Sequence, residues 1–185
     1  CESGNEEILK AIKKAVTLGE VRLATKWTRE AGIDCSVNFI IGHKGETYQT
    51  AMDSINFAKS LPTNFVNFYN LIPYPGTEAF EWVKGHGRFL VDTSNYLEAI
   101  SYGDNSPVFE TDELTKEQRE KIMKIGFGIH EYRVLRYRFG KALGTLLFFA
   151  TRNRFIKVLA ARFATMNSVG NKIAVFLSRG SYKSK

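Results

Sequence analysis

The sequence predicts an α/β fold, with strands and helices alternating in a parallel sheet or barrel, followed by a basic and mostly helical extension. Three observations predict it. Apolar residues alternate with polar ones over 33–41, and a second strand-like stretch covers 64–72. Each stretch runs into a turn marked by Gly or Pro and then into a segment of helical period. The charge is also divided: residues 1–118 carry 11 Lys+Arg against 17 Asp+Glu, and residues 119–185 carry 15 against 2.

Residues 6–14 begin with acids and end with lysines, the order that suits a helix dipole, and Ile8, Leu9 and Ile12 share one face. A second helix is predicted at about 18–31, opened by the capping box Thr17-x-x-Glu20 and closed by Gly32. The strand at 33–41 puts Ile33, Cys35, Val37, Phe39 and Ile41 on one face and Asp34, Ser36 and Asn38 on the other, before Ile40 breaks the alternation near its end. The apolar face would meet a helix layer, and the polar face is what an inward-facing barrel wall with a site needs. The turn at 42–45 leads to a helix at about 47–60, with Tyr48, Met52, Ile55 and Lys59 at helical spacing.

The strand at 64–72 stops at Pro73-Tyr74-Pro75-Gly76-Thr77, and a short helix at about 78–84 ends at Gly85. Residues 86–113 read as an irregular loop across the open end of the sheet, with one short strand near Val108. Thr115-x-x-Gln118 caps a long basic helix towards Phe139, with Gly126 and Gly128 as points for a bend. A further helical stretch is predicted at about 142–166. The domains expected are 1–85, a connection at 86–113, and a basic helical extension at 114–185.

The composition (44% hydrophobic, 24% charged) is that of a folded chain rather than a disordered one. Cys1 and Cys35 form no zinc or redox spacing, so reduced thiols in a cytoplasmic protein are expected. The chain opens on Cys rather than Met, with no charged-then-apolar leader. The expectation is the downstream part of something longer.

In a parallel βα array, ligands sit outside the carboxyl ends of the strands. Three segments fall there: Glu2-Ser3-Gly4, residues 42–46 and residues 71–77. The carboxylate of Glu2 and the hydroxyl of Ser3 suit ribose hydroxyls or an ammonium group; Ser3 or Asn5 could equally cap the following helix. Gly42 and Gly45 let backbone approach a flat ligand, or simply make a tight turn with Glu46 at a helix N-terminus. His43 reads as a solvated turn residue. Tyr74, between two prolines, either stacks on a ligand or plugs the end of the sheet.

Together these segments resemble motifs of radical S-adenosylmethionine enzymes. Glu2-Ser3-Gly4-Asn5-Glu6-Glu7-Ile8-Leu9-Lys10 is similar to their fourth-strand motif, and Phe39-Ile40-Ile41-Gly42 with Gly45-Glu46-Thr47 to their fifth. Pro73-Tyr74-Pro75-Gly76-Thr77-Glu78 resembles the turn after their sixth strand. Order and spacing match over roughly residues 1–85. The branch it looks closest to carries a cobalamin-binding domain upstream.

The resemblance implies a partial (β/α)6 TIM-like barrel of which this chain supplies the C-terminal half, its upstream half being a necessary partner. It implies S-adenosylmethionine, a 4Fe-4S cluster whose three cysteines lie upstream, and, from the branch, cobalamin. It implies reductive cleavage of S-adenosylmethionine to a 5′-deoxyadenosyl radical for hydrogen abstraction or methylation. Carried over by position, Glu2 and Ser3 contact the ribose or methionine part, Ile40 and Gly42 form the adenine wall, and the backbone at Leu71 and Ile72 approaches adenine. Departures are plain: the cluster motif is absent, Asn38 stands where glycine is common, and His43-Lys44 replaces Leu-Pro. The fragment alone is therefore expected to be inactive.

The basic tail suits an anionic partner. Its phenylalanines and leucines, interrupted by Arg152, Arg154, Lys157 and Arg162, fit an interfacial helix on anionic lipid, hence a peripheral membrane contact and a lipid-like substrate. A helical cap with solvated arginines fits too, and a nucleic-acid surface fits less, because no motif of a known module is present. A rival to the enzyme is a non-enzymatic α/β binding module that docks on anionic membrane or RNA through these helices.

Overall fold

The computed structural model describes residues 1–94, 96–99 and 106–153. The chain divides into two compact units, Cys1–His130 and Glu131–Lys185. Among the described residues the fold is mixed α/β with two small sheets.

The first unit opens with α1 (Glu6–Ala11), capped by the side chain of Asn5, which accepts from the N–H groups of Glu7 and Ile8. Its end falls short of the predicted 14, with Lys13 in the left-handed region (φ 58°). Helix α2 (Leu18–Glu30) has the predicted Thr17/Glu20 capping box. Strand β1 (Ser36–Ile41) begins three residues later than the alternation suggested, since Ile33 is exposed. Helix α3 (Tyr48–Ser60) starts from a Thr47/Thr50 capping box, and β2 (Phe65–Asn70) follows.

Strands β1 and β2 pair in parallel, Ser36 opposite Phe65 through Ile41 opposite Asn70. Val37, Phe39, Ile41, Val66 and Phe68 are buried on one face. Phe39 stacks on Phe68 with centroids 5.1 Å apart and meets Phe57 of α3 edge-on at 6.4 Å. The opposite face is mixed: Asn67 donates to Asn38 at 2.8 Å and to Ser36 at 3.1 Å, and Phe65, Ile40 and Tyr69 share the face with them. For β1 the division follows the predicted alternation, except at Ile40, which breaks it on the polar side.

Helix α4 (Glu78–His86) runs into β3 (Gly87–Phe89), which pairs antiparallel with β4 (Phe109–Thr111). A short α5 (Tyr96–Ala99) lies between them. The described residues of 86–113 are thus less irregular than expected, because Val83, Tyr96, Val108 and Phe109 make a second small core, with Leu71, Ile72, Phe80, Trp82 and Phe89 packed on it. Helix α6 (Lys116–Phe139) begins at the predicted Thr115/Gln118 box and is continuous through Gly126 and Gly128. Its Ile122 and Met123 join the core formed by Val37, Phe39, Ile41, Val66 and Phe68.

In the second unit, the end of α6 and α7 (Lys141–Arg152) contact one another through Tyr132 and Phe148, edge-on at 5.0 Å. The remainder of the helix expected at 142–166, with Arg154, Lys157 and Arg162, lies outside the described residues. No helix among the described residues is long and apolar enough to cross a membrane.

A candidate ligand site at the carboxyl end of the parallel strands

Backbone hydrogen bonds bring the three motif segments side by side. The N–H of Ile40 donates to the carbonyl of Glu2 at 2.9 Å, and the N–H of Leu71 donates to the carbonyl of Ile41 at 2.8 Å. Glu2, Ile40 and Leu71 are each partly exposed at this end of the sheet. The Glu2 carboxylate meets Lys14 Nζ at 3.1 Å.

Ser3 lies differently. It is fully buried, its hydroxyl is shared with Ser54 Oγ at 3.2 Å, and it accepts from the N–H of Asn5 at 3.2 Å. Its side chain therefore ties this segment to α3, and Asn5 rather than Ser3 caps α1. Ile72 is half-buried against the second core, while Tyr74 is exposed.

The turn at 42–46 is built around a buried carboxylate. Glu46, 2% exposed, folds back so that Oε2 accepts from the N–H groups of Gly42 (2.5 Å) and His43 (3.2 Å). Gly42 has φ 108°, a conformation that side chains other than glycine's rarely adopt. On the side where a Cβ would stand it meets the guanidinium of Arg119. Arg119 is fully buried on the first turn of α6, with Cζ 3.9 Å from the centroid of the Phe109 ring.

His43, expected in solvent, is buried. Burial lowers its pKa to about 4, with Arg119 acting in the same direction and Glu2 opposing, so its ring is neutral at pH 7. Burial raises Glu46 to about 7, against the pull of the two backbone N–H groups and Arg119. Burial likewise lowers Arg119 to about 10, with Glu46 and Glu110 opposing, so it remains a cation at neutral pH.

Four buried polar atoms of this cluster lack a hydrogen-bond partner: His43 Nε2, Glu46 Oε1, and Arg119 Nε and Nη1. Such atoms usually mark a place where ordered water or a polar ligand group is accommodated. The arrangement offers one cation, one carboxylate that can change protonation near neutrality, and one neutral imidazole behind the open strand ends.

Sequence reasoning missed Arg119. A signal was present: Ile122, Met123 and Gly126 stand three, four and seven positions on, which places Arg119 on the buried face of α6. In the charged run Lys116-Glu117-Gln118-Arg119-Glu120-Lys121 it looks like one more solvated residue.

No known protein-family profile matches the chain. It is similar to a protein of Pyrococcus horikoshii described as an uncharacterized methyltransferase, with 31% identity over 123 residues. That alignment covers 66% of this chain and 26% of the relative, so the chain spans about a quarter of that relative's length.

Proposed function

We propose that the chain is the C-terminal part of a radical S-adenosylmethionine enzyme, of the branch with an upstream cobalamin-binding domain, acting by methyl transfer or hydrogen abstraction on a lipid-like substrate. The observation that carries this reading is the backbone ladder from Glu2 through Ile40 and Ile41 to Leu71. It sets three motif segments together at the carboxyl end of parallel strands, where βα folds hold their ligands. The similarity to a methyltransferase supports S-adenosylmethionine as the cofactor.

In this reading Glu2 accepts hydrogen bonds from the ribose diol, and Ile40 with the backbone at Leu71 and Ile72 lines the adenine. Gly42 acts indirectly, by letting the turn close over Arg119. Ser3 contributes through its backbone, because its hydroxyl is committed to Ser54. The open face of β1 and β2, with Ser36, Asn38 and Asn67, becomes the interior of a partial (β/α)6 barrel that the upstream half completes.

S-adenosylmethionine would supply the methyl group or, after reductive cleavage, the abstracting radical. The residues of this chain do not fit an iron–sulfur cluster. Cys1 and Cys35 are its two cysteines, Cys1 Sγ donates to the carbonyl of Ser3 at 2.9 Å, and no group of three His, Cys, Asp or Glu gathers among the described residues. The cluster of such an enzyme would be held by residues outside this chain. Cobalamin follows from the resemblance alone.

Anaerobic reconstitution of the longer protein with iron and sulfide tests the proposal. The expected result is a bound iron–sulfur chromophore and release of 5′-deoxyadenosine on reduction. Methyl transfer that yields S-adenosylhomocysteine from an iron-free protein, with no reductant, would replace the radical reading with an ordinary methyltransferase.

A further inference from the structure

The last carboxylate in the sequence is Glu131; residues 132–185 carry 12 Lys+Arg and no Asp or Glu. A run of this length without one acid carries a net positive charge that suits an anionic partner. Within it, α7 presents large apolar side chains to solvent. Leu143 is 50% exposed, Leu146 65% and Phe149 63%. Leu143 and Leu146 are one turn apart, and Phe149 is the next along the same face. Lys141 opens the helix and Arg152 ends it, both exposed. The opposite side is occupied: Gly144 is buried, and Phe148 meets Tyr132 edge-on with Arg152 over its ring at 3.9 Å.

We propose that α7 is an interfacial helix that docks this unit on an anionic lipid surface. Leu143, Leu146 and Phe149 enter the acyl boundary, and Lys141, exposed at the start of the helix, meets the headgroups. The charge chooses an anionic partner, and the apolar face chooses lipid over nucleic acid. Of the three exposed side chains only Phe149 has a ring that stacks on a base; Leu143 and Leu146 neither stack nor contact phosphates, whereas burial among acyl chains removes all three from water. At twelve residues, α7 is itself too short to span.

The test is co-sedimentation of the whole chain with vesicles of phosphatidylcholine alone and of phosphatidylcholine mixed with phosphatidylserine. Partition onto the mixed vesicles at low salt is expected, weaker by at least about tenfold on phosphatidylcholine alone and reversed by high salt. The Leu146→Ser/Phe149→Ser variant keeps every charge and alters two largely exposed side chains, losing one ring contact of Phe149 with Phe148 at 5.5 Å, and its circular dichroism should match the parent. Its partition should fall by at least about tenfold. Failure of the parent chain to bind mixed vesicles overturns the proposal, as does a double variant that binds like the parent. Binding of an RNA oligonucleotide that survives the double substitution, with no vesicle partition, assigns the basic surface to nucleic acid instead.

Discussion

The guanidinium of Arg119 fills the space that a side chain at Gly42 would need: a Cβ built there falls 2.4 Å from Nη2 and 2.5 Å from Cζ and Nη1. The neighbour is charged, stacked on Phe109 and fully buried, so it cannot swing aside into solvent. Gly42→Ala should therefore combine backbone strain at φ 108° with overpacking, a loss of about 2–5 kcal/mol in urea denaturation. Arg119→Ala relieves the clash but leaves Glu46 without its nearby cation. The two losses should be less than additive in a double-mutant cycle, whereas strict additivity would show that the two residues are not coupled.

The pair Glu46 and His43 should make stability depend on pH in a way that single variants uncover. Glu46 has a folded pKa of about 7 against an ordinary 4.5, so the folded state binds its proton more tightly, and stability is lost as pH rises through that interval. His43 has a folded pKa of about 4 against 6.5, so the unfolded state binds the proton more tightly, and stability is lost as pH falls. Between 4.5 and 6.5 the slopes oppose and the parent profile should be nearly flat. Glu46→Gln should unmask a rise in stability with pH up to 6.5. His43→Gln should unmask a fall from 4.5 towards 7, each change being about 3 kcal/mol in all. Denaturation midpoints across this range read both, and parallel profiles for parent and variants would refute the buried-pair account.

Helix α6 covers the sheet at Gly126, where an added Cβ would fall 2.6 Å from the Phe68 ring. Phe68 is itself stacked on Phe39, so the ring has little room to yield. Gly126→Ala should cost about 1–3 kcal/mol, even though alanine is the better helix former in isolation. A stabilised variant would mean that α6 does not lie on the sheet as described.

The strands and most helix starts were legible because their signals are local. Thr17 with Glu20, and Thr115 with Gln118, cap what they appear to cap. Phe39 and Ile41 alternate with Asn38 because one face meets helices and the other does not. The short pairing of β3 with β4 was not legible, since its partners are separated by 22 residues at Arg88 and Glu110 and neither strand exceeds three residues. The buried character of His43, Glu46 and Arg119 was hidden for a related reason. Charged and polar residues normally stay at the surface, and only the arrival of α6 over the turn encloses these three.

Glu2 and Ser3, adjacent in the chain, should separate binding from stability. The N–H of Gly4 donates to Ser54 Oγ at 2.8 Å, and Ser3 shares that hydroxyl. Ser54→Ala strands the buried Gly4 N–H and should cost about 1–3 kcal/mol, with Ser3→Ala nearer the lower end. Glu2 instead makes one partly exposed ion pair with Lys14, so Glu2→Gln should change stability by no more than about 1 kcal/mol. If Glu2 receives the ribose diol, the same substitution in the longer protein weakens S-adenosylmethionine binding by about tenfold or more, through loss of charge-assisted acceptance. Equilibrium dialysis with labelled cofactor measures that loss, and denaturation of the same variants measures stability. Unchanged affinity in Glu2→Gln would remove Glu2 from the site, and a Ser3→Ala variant of native stability with lost affinity would put its hydroxyl back into it.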